Sequence, residues 1–240
     1  MFRVQHSRVP AAIAAIAIAA TAAGCSSGGN TPASTTGKST HQTKNVTTTA
    51  YTAKQLRGAL LTTMNGHKLV EAVEDGAYGA LPGIKETRES VKGVKITPAR
   101  CAGTTGSGLS SPKFNNVPAT VASFRDGANG VSEVLLSPPA SMLSSALVRK
   151  IPAGCAHYTA RLGKHVYRYA LKAERAPRIG AAASELNVRA SGAQRANIWT
   201  VIYRTSNMVG AITLVGTHST RAQAQSLARQ AYQHAAKSLL

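Results

Sequence analysis

The side chains with chemistry to offer in this 240-residue chain are three cysteines (Cys25, Cys101, Cys155), seven histidines, 9 Asp and Glu, and 28 Lys and Arg. Cys101 and Cys155 could pair with each other. With His157 they could instead supply three ligands to zinc, although no CxxC pair and no fourth ligand at zinc spacing accompanies them. Glu71, Glu74 and Asp75 are close enough to share a helical face, either as paired carboxylates for acid–base work or as a solvated edge. His157 and His165 are eight residues apart, which suits neither a metal pair nor a nucleophile and its base. Asp126 stands in Asp126-Gly127-Ala128-Asn129-Gly130, where a turn role competes with that of a triad acid. The glycine-rich run 103–108 could cradle a phosphate but lacks the lysine that follows in a P-loop, so a surface loop is the simpler reading. No GxSxG, HExxH, GxxxxGK[ST] or GxGxxG occurs, so no catalytic residue, metal or cofactor is assigned. The densest basic cluster is Arg168, Lys172, Arg175 and Arg178.

The ends of the chain bear on which of these belong to a folded domain. Arg3 and Arg8 precede an apolar run that gives way to small residues up to Gly24, the three parts of an export signal over 1–24. The run is shorter than the roughly 20 residues needed to cross a bilayer. Ala22-Ala23-Gly24-Cys25 resembles the lipobox of bacterial lipoproteins, although Ala22 stands where that pattern usually has Leu. The resemblance implies cleavage before Cys25, a diacylglycerol on its thiol and a lipid anchor on the outer side of the cell membrane. Cleavage after Ala20-Thr21-Ala22, giving a secreted protein, is the alternative. Assigning Cys25 to lipid leaves an even pair for an oxidising compartment and predicts a Cys101–Cys155 disulfide. Residues 25–50 are rich in Ser, Thr, Gly, Asn and Lys, with Val46 the only large apolar residue, the composition of a disordered tether.

The remaining residues, 51–240, suit one extracytoplasmic domain. Thr52 caps an expected helix from Ala53, with Leu56, Leu60 and Leu61 at helical spacing. Residues 67–74 read as either helix or strand and loop, and the segment before Cys101 as extended. Two strands are expected around Asp126 to Gly130, then a helix from Ser137 and Pro138 to about Lys150, stopped by Pro152 and Gly154. The disulfide would then tie that helix end to the early strand. Further on, 164–176 alternates as a strand, and Ile198–Arg204 with Met208–Gly216 forms a hairpin whose first arm is apolar on both faces. A final helix after Ser219 or Thr220 aligns Ala224, Leu227, Ala228, Ala231, Tyr232, Ala235 and Leu239. The expected class is α+β, a mostly antiparallel sheet with helices on one face and one disulfide.

This order of elements, from YTAKQLRGALL through ITPARCAG and Gly154-Cys155 to ARQAYQHAAKSLL, resembles the secreted lipoproteins and sensor-type domains of actinobacteria, including the extracellular domain of PknH-like receptor kinases. The resemblance implies a non-catalytic extracytoplasmic module that binds a ligand, with a cleft in the sheet. Composition adds a partner class. The formal charge is +19, and about +17 once Arg3 and Arg8 leave with the signal. Outside the cytoplasm such a charge meets anionic lipid or phosphate-bearing wall polymer, and nucleic acid is not expected. The alternative function is therefore a basic envelope protein adhering to such a surface through Arg168, Lys172, Arg175 and Arg178. A hydrolase with a site assembled from distant residues stands behind both.

Overall fold

The computed structural model describes residues 50–64, 67–103, 108–126, 129–147 and 150–239. The expected signal over 1–24, Cys25 and the tether as far as residue 49 lie outside the described residues, as do 104–107 of the glycine-rich run and the side chain of Asp126.

Helix α1 (Ala53–Gly58) forms where expected, held by a capping box in which Thr52 and Gln55 satisfy each other's backbone N–H. Short strands β1 (Lys68–Leu69) and β2 (Glu74–Ala77) follow, so the ambiguous stretch is extended and not helical. Both pair with β4 (Pro118–Asp126), forming one interrupted edge strand that satisfies the outer side of β4. Helix α2 (Pro82–Ser90) was not expected. It starts on Pro82, and its first turn is capped from outside by the Glu74 carboxylate, which accepts the Gly83 N–H.

Strand β3 (Lys95–Thr97) leads into the Ala99–Cys101 3-10 turn. After β4 comes β5 (Asn129–Leu136). The helix expected over 137–150 shrinks to α3 (Ala140–Leu143) and a 3-10 turn, Ser144–Ala146. Pro139 delays its start, and the Ser145 hydroxyl donates to the Met142 carbonyl at 2.6 Å. Gly108 lies against this turn so closely that a Cβ there would sit 1.9 Å from the Ser145 carbonyl oxygen.

The second half is β6 (His157–Leu162), β7 (His165–Glu174), β8 (Ala182–Gly192), β9 (Ala196–Arg204), β10 (Val209–Gly216) and α4 (Arg221–Leu239). The β9–β10 turn is closed by the Thr205 hydroxyl, which accepts from the Asn207 and Met208 amides. All strands join one sheet in the order β1-β4-β5-β10-β9-β8-β7-β6-β3, with β2 also on β4, and every strand pair is antiparallel.

Helices cover both faces of this sheet, not one. On the first face, α4 inserts Ala224, Leu227, Ala228, Ala231 and Ala235 against Trp199, Val201, Tyr203, Ile212 and Leu214, with Leu56 of α1 beside them. On the second, Ile84 of α2, Phe114 and Leu143 of α3 cover Val121, Val134, Ile202 and Val209. The reason is in β9 and β10, whose side chains are buried on both sides and need two covers.

Cys101 and Cys155 form the expected disulfide, with Cα atoms 5.4 Å apart. It joins the turn after β3 to the residues just before β6, two neighbouring strands, and not a helix end to a strand. Around it, Tyr158, Tyr167, Tyr169, Leu171 and Val188 form a third cluster on the second face. With both thiols bonded to each other, the zinc arrangement with His157 does not form.

Candidate functional site

Residues directly opposite one another in an antiparallel ladder carry their side chains on the same face, so strand register converts distant sequence positions into rows. On the first face, one row is Lys95–Arg161–Val166 and the next Thr97–Thr159–Arg168–Ser191. Beyond these come His157–Ala170–Arg189–Asn197 and Lys172–Asn187–Trp199–Leu214. The last is Glu174–Glu185–Val201–Ile212–Glu133. From β9 towards β5 this face lies under α4 and α1. Over β3, β6, β7 and the Arg189 end of β8 it is open. Lys95, Thr97, His157, Arg161, Arg168, Lys172, Arg189 and Ser191 are all exposed there.

The cations on the open face are not scattered. Lys95, Arg161, Arg168 and Arg189 sit on four successive strands; Lys95 and Arg161 share a row, and Arg168 and Arg189 each step one row further along the strands, which makes a bent stripe. With strands about 4.8 Å apart and rows about 6.8 Å apart, the stripe is roughly 20 Å long. Hydroxyls flank its centre, since Thr159 and Ser191 are the direct neighbours of Arg168. Among the described residues, no acidic side chain pairs with these four cations. Charge is also unevenly distributed along the chain. From Val134 to the end it holds 14 Lys and Arg but only two acids, Glu174 and Glu185.

Both acids are already engaged where the open face meets α4. Glu185, buried, accepts from Arg221 Nε and Gln225 Nε2, each at 2.8 Å, and so fastens the first turns of α4 to β8. Glu174 pairs with Lys172 at 2.8 Å. That hydrogen bond, together with the charges of Arg221 and Arg189, holds its carboxyl below the usual carboxylate range. Lys172 is therefore ion-paired, whereas Arg189 feels the Glu174 charge without pairing with it.

The sequence cluster of four basic residues divides in space. Arg168 and Lys172 lie on the open face, whereas Arg175 and Arg178 fall in the connection after β7, where the Arg175 carbonyl accepts from Arg221. Sequence reasoning missed Lys95, Arg161 and Arg189, because only strand register makes them neighbours of Arg168. His157 and His165 point to opposite faces. The three carboxylates do not converge either. Glu71 is exposed, Glu74 caps α2, and Asp75 binds Arg57 at 2.6 Å.

One buried acid was not foreseen. Glu133 projects from β5 into the core beneath α1 with no exposure; one carboxylate oxygen accepts the Leu61 N–H at 3.1 Å and the other has no hydrogen-bond partner. Burial pushes its carboxyl up to about 7, moderated by the Leu61 bond. Tyr203 lies across Gly210 on the neighbouring strand, where any Cβ would meet its ring at 2.1 Å, and its hydroxyl is likewise buried and unpartnered. Burial and the nearby Glu133 charge raise the tyrosine well above its ordinary range. Both groups are sealed beneath the apolar side chains of the first face.

No protein-family model matches the chain, and no curated protein matches it. Among solved structures it is similar to an uncharacterised protein from Mycobacterium smegmatis, with a TM-score of 0.49 and 15% identity over 78% of this chain and 97% of that one. It is also similar to the extracellular domain of PknH from Mycobacterium tuberculosis, with a TM-score of 0.53 and 14% identity over 79% of this chain and 98% of that one. At this identity the likeness to the PknH domain is one of fold, and the fold is the one anticipated from the order of elements.

Proposed function

We propose that the chain is a non-catalytic, sensor-like binding module working outside the cytoplasm, with its ligand surface on the open face of β3, β6, β7 and β8. One observation carries the reading: Lys95, Arg161, Arg168 and Arg189 stand exposed on one sheet face beside α4, and among the described residues none of them forms an ion pair with an acid. The ligand it suits is anionic. A shared fold with the extracellular domain of PknH supports the compartment, and so does an oxidised cysteine pair. A lipid on Cys25 would hold the module at the membrane through the 25–50 tether.

The test is retention of the mature domain on an immobilised polyanion such as heparin, across a salt gradient. Neutralising Lys95, Arg161, Arg168 and Arg189 together to Gln should shift elution to much lower salt, since each lost ionic contact flattens the salt dependence. Unchanged retention in that variant would reject the surface. Anchoring is tested separately by mass spectrometry of the mature amino terminus. A diacylated Cys25 is expected, and an unmodified terminus elsewhere would replace the anchored module with a secreted one.

A further inference from the structure

We infer that the stripe is a track for a linear phosphodiester polymer, with Arg168 at its central phosphate subsite; this rests on the reading that the open face is the ligand surface. Three features argue for a chain of phosphates. The first is shape. Four cations on four successive strands form a line, not a disc; Lys95 and Arg161 are direct neighbours about 5 Å apart, and Arg168 and Arg189 follow at the diagonal spacing of about 7–8 Å, so an extended polyanion meets one charge after another.

The second is donor chemistry. Guanidinium groups present planar forks matched to phosphate oxygens, and three of the four cations are arginine. Thr159 and Ser191 place a hydroxyl on each side of Arg168; the Thr159 hydroxyl can join the guanidinium fork on one phosphate, and the Ser191 hydroxyl can do so by leaving its long 3.5 Å bond to the Arg168 carbonyl. On either side of Arg168 along β7 the surface is low, formed by Val166 and Ala170, which lets a chain lie close to the sheet.

The third is what the face lacks. The exposed large apolar residues among the described ones, Leu69 and Val70, belong to the opposite edge of the sheet, so nothing beside the stripe would enter a bilayer. The tyrosines of β6 and β7 (Tyr158, Tyr167, Tyr169) are packed on the other face, so the open face of these strands offers nucleobases no tyrosine to stack on. A polyol or sugar phosphate polymer is the occupant these features fit.

The experiment titrates the mature domain by calorimetry with three probes: glycerol phosphate oligomers of two and six units, poly-glutamate of matched charge, and vesicles of phosphatidylglycerol with phosphatidylcholine. The hexamer should bind at least about tenfold more tightly than the dimer and than poly-glutamate. R168Q should weaken the hexamer by about tenfold, R168K by less, and R229Q on the outer side of α4 by under about twofold. Thermal melting of each variant checks that it is folded. Equal binding of poly-glutamate, or binding to vesicles without the hexamer, would overturn the phosphate track while leaving an anion-binding surface in place. Failure of every polyanion would remove both.

Discussion

Strand β9 buries both faces, with Ile198 and Ile202 on one and Trp199, Val201 and Tyr203 on the other. Strand β7, separated from it only by β8, buries Tyr167, Tyr169 and Leu171 on one face and leaves Arg168 and Lys172 in water on the other. The difference is one of coverage. A helix is about 10 Å across and strands are about 4.8 Å apart, so a packed helix shades about two strands. Helices α1 and α4 together therefore shade about four. The sheet is wider than that, and what is left over, β3, β6, β7 and the Arg189 end of β8, keeps an open side. On the shaded side side chains are chosen for packing; on the open side they are available for binding.

The comparison yields predictions that fall in order of size. Replacing Cys101 and Cys155 by Ser should cost up to about 4 kcal/mol, the chain-entropy value for a loop of 54 residues. Hydrogen exchange should then rise first in β6 and β7, whose only covered face is built around the disulfide. If β9 exchanged as early as β7, the two regions would not be separable. Ile212→Ala in the shaded half should cost about 3 to 4 kcal/mol in denaturant unfolding, because α4 and α1 cannot collapse onto the space it leaves.

Glu133 adds a pH test of the shaded half. Its folded pKa is raised from the ordinary value to about 7, so the folded state binds more protons than the unfolded one between about 4.5 and 7. Stability from this group is fully present below that window and is lost as pH rises through it, by roughly 3 kcal/mol. Glu133→Gln should flatten the curve; a wild-type curve already flat from pH 4.5 to 7 would contradict the buried carboxyl. Smallest of all, Arg168→Gln should change unfolding free energy by under about 0.5 kcal/mol while reducing anion binding. A large loss of stability there would mean that the open face serves the fold.

Legibility in the sequence followed the same division. Helix α4 was readable because its contacts are periodic. Ala224, Leu227, Ala228, Ala231 and Ala235, all expected on one stripe, are all buried. The β9–β10 hairpin and the Cys101–Cys155 pair were readable for equally local reasons, an apolar run around a Thr-Ser-Asn turn and the parity of cysteines. Helix α2 was not, since Ile84 is its one buried residue and its cap, Glu74, comes from another element. The helix on 137–150 was over-read because its apolar spacing says nothing of the 3-10 turn at Ser144–Ala146. The candidate site was half visible. Arg168 and Lys172 lie close in sequence and stay together, but Arg175 and Arg178 leave the face because β7 ends at Glu174. Lys95 and Arg189, 94 positions apart, meet Arg168 only through the register of four strands.

Tyr51 fixes where the described domain begins. Its amide donates to Ser137, its hydroxyl donates to the Leu239 carbonyl, and that same hydroxyl accepts from Asn207 in the β9–β10 turn. The stripe runs from β3 to Arg189, which pairs with Asn197 at the other end of β9. Tyr51 and the stripe thus lie at opposite strand ends, about 20 Å apart along β9. The chain therefore enters the domain at the end that the stripe does not occupy, so a ligand lying along the stripe would leave the Tyr51 contacts uncovered.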